Sequence, residues 1–372
     1  MKRKKIIPYV NLGKDWTHHK KKLLKIIDKT LSTGNWVGGD EIDIFEKNIS
    51  KFCDCKYAVG LNSGTDALVL GLHLLGVRKG DEVITTPNSF IASTAAIIHI
   101  GAKPVFVDVC PDQNIDVTKI ETAINKKTKA IMPVHLTGRV SQMDKIIELS
   151  KKYNIPIIED AAQSVGAKFK NKKAGSFGEI GCFSAHPLKN LNAIGDSGYL
   201  ITNNILIYKK AKNLINHGMK NREVVTNFGY VSRMDNLQAA VLNYRLKNLN
   251  QVILARRKNA SIYKKLLNKN FVFIPAERKE EFNTYHTFVV QLDKRDKLKK
   301  YLEDEGILTS IHYPRPIHLQ PAARILKYKK NDFKTTESQS KKILSLPINQ
   351  FLLKEDIVYI CNKINYFYKS HF

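Results

Sequence analysis

Cysteine is scarce in this sequence: Cys53, Cys55, Cys110, Cys182 and Cys361 are the only five in 372 residues. Their number is odd and their spacing scattered. A single C-x-C with no second pair makes a poor metal signature, so neither a disulfide framework nor a metal site is expected to organise the chain. Long apolar runs are missing too. The start Met1-Lys-Arg-Lys-Lys-Ile-Ile-Pro8 is basic but carries no apolar stretch of signal-peptide length. No later run reaches the roughly 18 apolar residues of a membrane span. A cytoplasmic protein with reduced thiols and no membrane insertion is the expectation. Acidic residues are outnumbered, 34 against 61 Lys and Arg, for a formal net charge of +27. Such an excess raises nucleic acid as a partner, because clustered cations neutralise phosphates and release counterions. Here the basic residues are spread along the chain and are mostly lysine, with no aromatic-interleaved basic motif or zinc finger. They read as a solvated surface, and nucleic acid is not an expected partner. Repeats and low-complexity segments are also lacking.

Hydrophobic residues make up 43% and charged residues 26%, the balance of an ordinary soluble globular enzyme. Single cores tend to split beyond roughly 250 residues, so one large and one smaller lobe are expected. From about Lys56, short apolar runs alternate with helical patterns, an α/β signature. Tyr57 to Leu61 reads as a strand, and Asp66 to Leu75 as a helix apolar nearly all round and closed by Gly76. The unit recurs as strand Glu82 to Thr86, helix Ser89 to Ile100 and strand Val105 to Val109, then as Ala130 to His135, helix Met143 to Tyr153 and Ile155 to Ile158. Strands separated by single helices imply a mostly parallel sheet flanked by helices. After Leu246 the pattern changes to a long Lys/Arg-rich helix, a strand Thr287 to Leu292, a helix Lys297 to Glu305 and a last helix from Lys354. This divides the chain into a large domain, 1–246, and a smaller C-terminal α+β lobe, 247–372, on which the N-terminal segment can pack.

Ligands of open α/β sheets sit beyond the carboxyl ends of the strands, which directs attention to four loops. Asn62-Ser-Gly-Thr65-Asp66 is a small-residue turn feeding a helix, where free N–H groups and the helix dipole suit an anion; an ordinary helix cap accounts for it as well. Glu159-Asp160 ends an apolar strand with two carboxylates on opposite faces. One of them must face the interior or the site, where it needs a partner, or it caps the next helix. Lys189 stands between two strand-like runs among small and polar residues, although most lysines are merely solvated. Phe90 in Pro87-Asn-Ser-Phe90 lies just past a strand end, placed for core packing or for stacking on a ligand.

With these loops in place the sequence resembles the sugar aminotransferases named for DegT, DnrJ, EryC1 and StrS, a branch of the fold-type I pyridoxal 5'-phosphate (PLP) enzymes. The resemblance runs over nearly the whole chain. Its markers, in order, are Ser32-Thr-Gly-Asn-Trp36-Val-Gly-Gly with Phe45-Glu46, Asn62-Ser-Gly-Thr-Asp-Ala-Leu68, Pro87-Asn-Ser-Phe90 and Val134-His-Leu-Thr-Gly138. Glu159-Asp-Ala-Ala-Gln-Ser164, Phe183-Ser-Ala-His-Pro-Leu-Lys189, Gly195-Asp-Ser-Gly198 and Ser232-Arg-Met-Asp-Asn-Leu-Gln-Ala-Ala240 follow. The series closes on His312-Tyr-Pro-Arg-Pro-Ile-His-Leu-Gln320 and Leu344-Ser-Leu-Pro347.

The resemblance implies that Lys189 is the Schiff-base lysine, that Asp160 pairs with the pyridine nitrogen and that Phe90 stacks on the ring. Gly64, Thr65 and Ser184 would bind the phosphate, with Gln163 near the cofactor's oxygen. It implies a homodimer with each active site at the subunit boundary, and transfer of an amino group from a donor, expected to be glutamate, to a nucleotide-linked keto-deoxy sugar in surface-glycan or amino-sugar biosynthesis. Trp36, His312, Tyr313, Arg315 and His318 are candidate substrate contacts by position. Relatives that work as dehydratases replace the lysine with His, so keeping Lys189 favours transamination. Three positions depart from the family pattern. Val231, in Gly229-Tyr-Val-Ser-Arg233, stands where members commonly carry an Asn that reaches the neighbouring subunit's cofactor phosphate. Asp196 and Ser197 stand where many carry Glu and Gly, and members with Asp there include enzymes aminating the sugar's third carbon, which favours a 3-keto acceptor. A small phosphorylated ketone as acceptor, and a non-catalytic PLP-binding regulatory protein, are the competing readings.

Overall fold

A computed structural model describes residues 5–371. Seven strands form its centre: β1 (Tyr57–Leu61), β2 (Glu82–Thr85), β3 (Lys103–Phe106), β4 (Thr128–Ile131), β5 (Ile158–Asp160), β6 (Ile180–Ser184) and β7 (Gly198–Thr202). Their order is β3-β2-β4 followed by β5-β6-β7-β1, and parallel bridges Ile131 to Ile157 and Val134 to Asp160 join the two groups at β4 and β5. Pairings within β3-β2-β4 and between β5 and β6 are parallel. The exception is β7, antiparallel to both neighbours. A parallel neighbour requires a long crossover, usually a helix. The chain from β6 to β7 has none: residues 185–197 fold back over the end of the sheet, and this loop carries Lys189.

Alternate strand residues feed two different cores. Ala58, Phe183, Tyr199 and Ile201 join Phe45, Ile49, Met143, Ile146 and Leu242 on one face. Val59, Leu61, Cys182 and Leu200 join Leu68, Leu72, Ile97 and Leu214 on the other. Helices cover both faces, which is why these strands read as continuous apolar runs. The helix Gly64–Leu74 is buried as its composition foretold. Strand Ile158–Asp160 lies later than the apolar run Ile155 to Ile158 suggests, because the carboxylates themselves extend the pairing. Two N-terminal helices, Leu12–Ser32 and Asp40–Phe52, precede the α/β units. In the first, only Asp15, Leu23 and Thr30 are buried, and Asp15 accepts a 2.7 Å bond from Arg245.

A second core gathers Ile7, Tyr263, Phe288, Leu302, Leu344 and Ile360 around an antiparallel pair, β8 (Phe288–Gln291) and β9 (Ile343–Leu346). Ile7 pairs with Ile307, so the N-terminal segment is part of this lobe. The helix Leu249–Leu266 spans both cores: Leu249 and Ile253 pack in the first, Ala260 and Tyr263 in the second. Between them Arg256 donates to the carbonyls of Tyr285, His286 and Ile348. Among the described residues no helix is long and apolar enough to cross a membrane.

Candidate active site

β1, β2, β4, β5 and β6 end on the same edge of the sheet, and the loops there enclose a pocket of about 380 Å³. Each of the four sequence-flagged loops contributes to it, and Gly64, Thr65, Phe90, Asp160, Gln163, Ser184, Lys189, His312 and Tyr313 all line it.

Asp160 ends β5 with one carboxylate oxygen accepting the Ala162 N–H at 3.1 Å and the other the Ser93 hydroxyl at 2.6 Å. Strand alternation sends Glu159 to the opposite face. There, fully buried, it accepts from the N–H groups of Gly175, Phe177 and Gly178 at 2.6–2.7 Å and pairs with His135 at 2.8 Å. The His135 Nδ1 accepts the Ser141 N–H, so its Nε2 donates to Glu159. The tandem carboxylates thus divide: Glu159 ties loop 175–178 to the sheet, and Asp160 serves the pocket.

Lys189 is held by its own N–H donating to the His186 carbonyl at 2.8 Å. Desolvation lowers its amine from the usual 10.5 to about 8, although the Asp160 carboxylate pulls the other way. An amine so poised is partly neutral near physiological pH, as Schiff-base chemistry requires. At the opposite wall Ser63 caps the helix Gly64–Leu74 by accepting the Asp66 N–H at 3.1 Å. That leaves the first-turn N–H groups of Gly64 and Thr65 without intrahelical acceptors at the positive end of the helix, an arrangement that suits an anion. Only glycine fits at 64, because an added Cβ would come within 2.7 Å of the Ser184 Cβ. Gln163 is fixed from both ends: its Oε1 accepts the Thr137 N–H at 2.9 Å and its Nε2 donates to the Tyr313 hydroxyl at 3.2 Å. Burial raises the Tyr313 pKa, so its hydroxyl keeps the proton it can donate. Phe90, half exposed, stands 6.1 Å from the Tyr313 ring.

Arg315 lies outside this pocket, in an adjoining hollow of about 510 Å³ that shares Ser89, Phe90 and Tyr313 with it. Trp36 and His318 are not brought to either. Trp36 is 61% exposed, its indole N–H donating to the Leu31 carbonyl. His318 is buried against Phe333 and bonded to Glu337 at 3.1 Å, a structural histidine. Sequence reasoning singled out neither Ser93 nor His286, and it gave Ser89 and Ser197 no contact in the site. Ser197 and His286 line the pocket, and the Ser197 Oγ and His286 Nδ1 are buried without a partner. Nothing in a Ser within an apolar helix, or a His before a strand, marks Ser93 or His286 in advance.

The family model of the DegT/DnrJ/EryC1/StrS aminotransferases matches residues 17–365. The chain belongs to that family. It is 36% identical over 98% of its length, and 99% of the relative's, to a pleiotropic regulatory protein of Geobacillus stearothermophilus. It is 35% identical over 97% of its length, and 99% of the relative's, to the dTDP-3-amino-3,6-dideoxy-alpha-D-galactopyranose transaminase of Aneurinibacillus thermoaerophilus. In three dimensions it matches S. venezuelae DesV, solved in complex with a ketimine intermediate, with a TM-score of 0.95 at 33% identity, over 97% of this chain and 98% of that one. The family's cofactor is PLP, and the donor set here fits it: an amine of lowered pKa, a buried carboxylate, a helix start with free N–H groups cradled against Ser184, and two wall residues, Ser197 and His286, each with a buried polar atom that no protein group satisfies.

Proposed function

We propose that this aminotransferase moves an amino group from glutamate to the 3-keto position of a nucleotide-linked deoxy sugar. Lys189, with its amine lowered to about 8 in the pocket that Asp160 closes, is the observation that carries the reading. PLP, when bound, supplies an electron sink and a carrier for the amino group. Asp160, fixed by Ser93 and Ala162, would hold a proton on the ring nitrogen, and Gly64, Thr65 and Ser184 would receive the phosphate. Phe90 would cover one ring face. The Lys189 amine would carry a proton between the substrate carbon and the cofactor carbon in each half of the exchange, a task open to it because it is partly neutral. Tyr313, accepting from Gln163, has its own O–H free for a sugar hydroxyl.

A nucleotide-linked acceptor is favoured over a small phosphorylated ketone by the adjoining 510 Å³ hollow, largely apolar with Arg315 at its wall, which suits a base and a diphosphate. The 3-position is favoured by Asp196 and Ser197, both lining the pocket, and by the name of the Aneurinibacillus relative. We also propose a homodimer. Val37 bridges Asp235 and Arg233 bridges the end of β1, and beside them Trp36, Val37, Phe228 and Val231 expose apolar surface that a second copy would cover. With Val231 in place of Asn, that position offers no side-chain amide for the neighbour's phosphate.

The test is the visible spectrum of the purified protein with PLP, taken before and after glutamate and then with nucleotide-linked 3-keto sugars or dihydroxyacetone phosphate. A band that glutamate bleaches and a nucleotide sugar restores supports the proposal. Restoration only by the small phosphate moves the substrate class, and a band indifferent to glutamate points to a PLP-binding regulatory protein. Light scattering that returns a fully active monomer sinks the dimer.

A further inference from the structure

Asp160 is 5% exposed, and what surrounds its carboxylate is unusually definite. Oδ1 accepts the Ala162 N–H from its own turn. Oδ2 lies 2.6 Å from the hydroxyl of Ser93, a fully buried residue of the helix Ile91–His99, which belongs to a different loop and strand. Ser93 in turn lies 2.6 Å from Ser89, which lines both the catalytic pocket and the adjoining hollow. A hydroxyl has one proton to give. At 2.6 Å from a carboxylate, in the range of charge-assisted O–H···O⁻ bonds, the Ser93 proton belongs to Asp160. Ser89 must therefore be the donor to Ser93, and the chain of bonds has one direction: from the pocket wall, through Ser93, to the carboxylate. Its alternative acceptor, the Phe90 carbonyl at 3.3 Å, is the weaker one.

We propose that Ser93, backed by Ser89, is a positioning residue that fixes the Asp160 carboxylate for the cofactor's ring nitrogen. The assignment rests on the PLP reading above. Without the Ser93 bond, Oδ2 loses the protein donor that replaces its hydration, and rotation of the carboxylate is restrained only by the Ala162 N–H. A buried polar network of this kind works as a unit, so loss of one member loosens the rest. Ser89 also couples the carboxylate to whatever fills the pocket at Phe90, because its hydroxyl is the outermost link.

The measurements are PLP affinity and the pH midpoint at which the bound cofactor's visible band changes. A firmly held proton on the ring nitrogen disfavours a second positive charge elsewhere on the conjugated system, so a loosened Asp160 raises that midpoint. Ser93→Ala is expected to weaken PLP about tenfold, the loss of one hydrogen bond to a charged group, and to raise the midpoint by about half a pH unit. Ser89→Ala is expected to shift both in the same direction by less. In an Asp160→Asn background Ser93→Ala should add nothing to the midpoint, because its effect passes through the carboxylate. A merely structural serine would lower the melting temperature and leave the midpoint where it is. Unchanged affinity and midpoint in Ser93→Ala overturn the proposal, as does an equal shift in the Asp160→Asn background. Should Ser93→Ala fold poorly, Ser89→Ala decides by the same midpoint: a rise supports the chain and no change overturns it. Wild-type protein that takes up no PLP refutes the proposed function, whereas wild type that binds while both serine variants match it refutes the serine chain alone.

Discussion

Capture of PLP by the cofactor-free protein should follow the ionisation of Lys189, because only a neutral amine attacks an aldehyde. With the amine lowered to about 8, roughly a quarter of it is neutral at pH 7.5, against about one part in a thousand at the ordinary value of 10.5. The second-order rate of band appearance, followed by stopped flow across pH 6 to 10, should rise with pH and level off with a midpoint near 8. Burial is the larger cause and the Asp160 carboxylate opposes it. Asp160→Asn should therefore move the midpoint lower still. The same shift is a stability statement. Between pH 8 and 10.5 the unfolded chain holds a proton on Lys189 that the folded chain has shed, so stability rises across that window, and the full cost of the desolvated ammonium is present below it. Lys189→Met should accordingly stabilise the cofactor-free protein by up to about 3 kcal/mol at pH 7, read as a higher melting temperature, while abolishing transamination. A capture midpoint near 10, or a Met variant that melts lower than wild type, would refute the view of Lys189 as a desolvated, partly neutral amine.

Glu159→Gln tests the opposite face of the same strand. The amide nitrogen must oppose either Phe177 and Gly178 or Gly175 and His135, leaving donors facing a donor, and a loss of about 2 kcal/mol or more is expected in denaturant unfolding. Gly64→Ala puts a Cβ within 2.7 Å of Ser184, so the phosphate loop should shift, PLP affinity should fall and stability should drop by about 1–3 kcal/mol, measured by equilibrium dialysis and melting. Arg315→Ala should raise KM for the nucleotide-linked acceptor about tenfold and leave the glutamate half-reaction unchanged; an equal loss in both halves would place Arg315 outside the acceptor's site.

Most of the pocket was legible because its residues sit at strand ends and loop starts, where small, polar or charged side chains interrupt apolar runs. Asn62 to Asp66, Phe90, Glu159-Asp160 and Lys189 all stand out in this way, and all four loops meet at one edge of the sheet. Trp36 and His318 carried the same ordered-motif signal, yet one stays exposed and the other packs on Phe333 and Glu337. A motif records that a position matters, and packing can be the reason as easily as contact. The first N-terminal helix, Leu12–Ser32, was less legible because it buries only three residues.

The sequence by itself determined the α/β class, the succession of strands and helices and the residue types beyond each strand, since side-chain period and turn chemistry are local properties. Only the tertiary structure decided that β7 returns antiparallel beneath the lysine loop, that Glu159 turns away to pair with His135, and that Ser93 answers the Asp160 carboxylate. Those outcomes depend on contacts between residues distant in the chain, and burial, through desolvation, is what brings the Lys189 amine down to about 8.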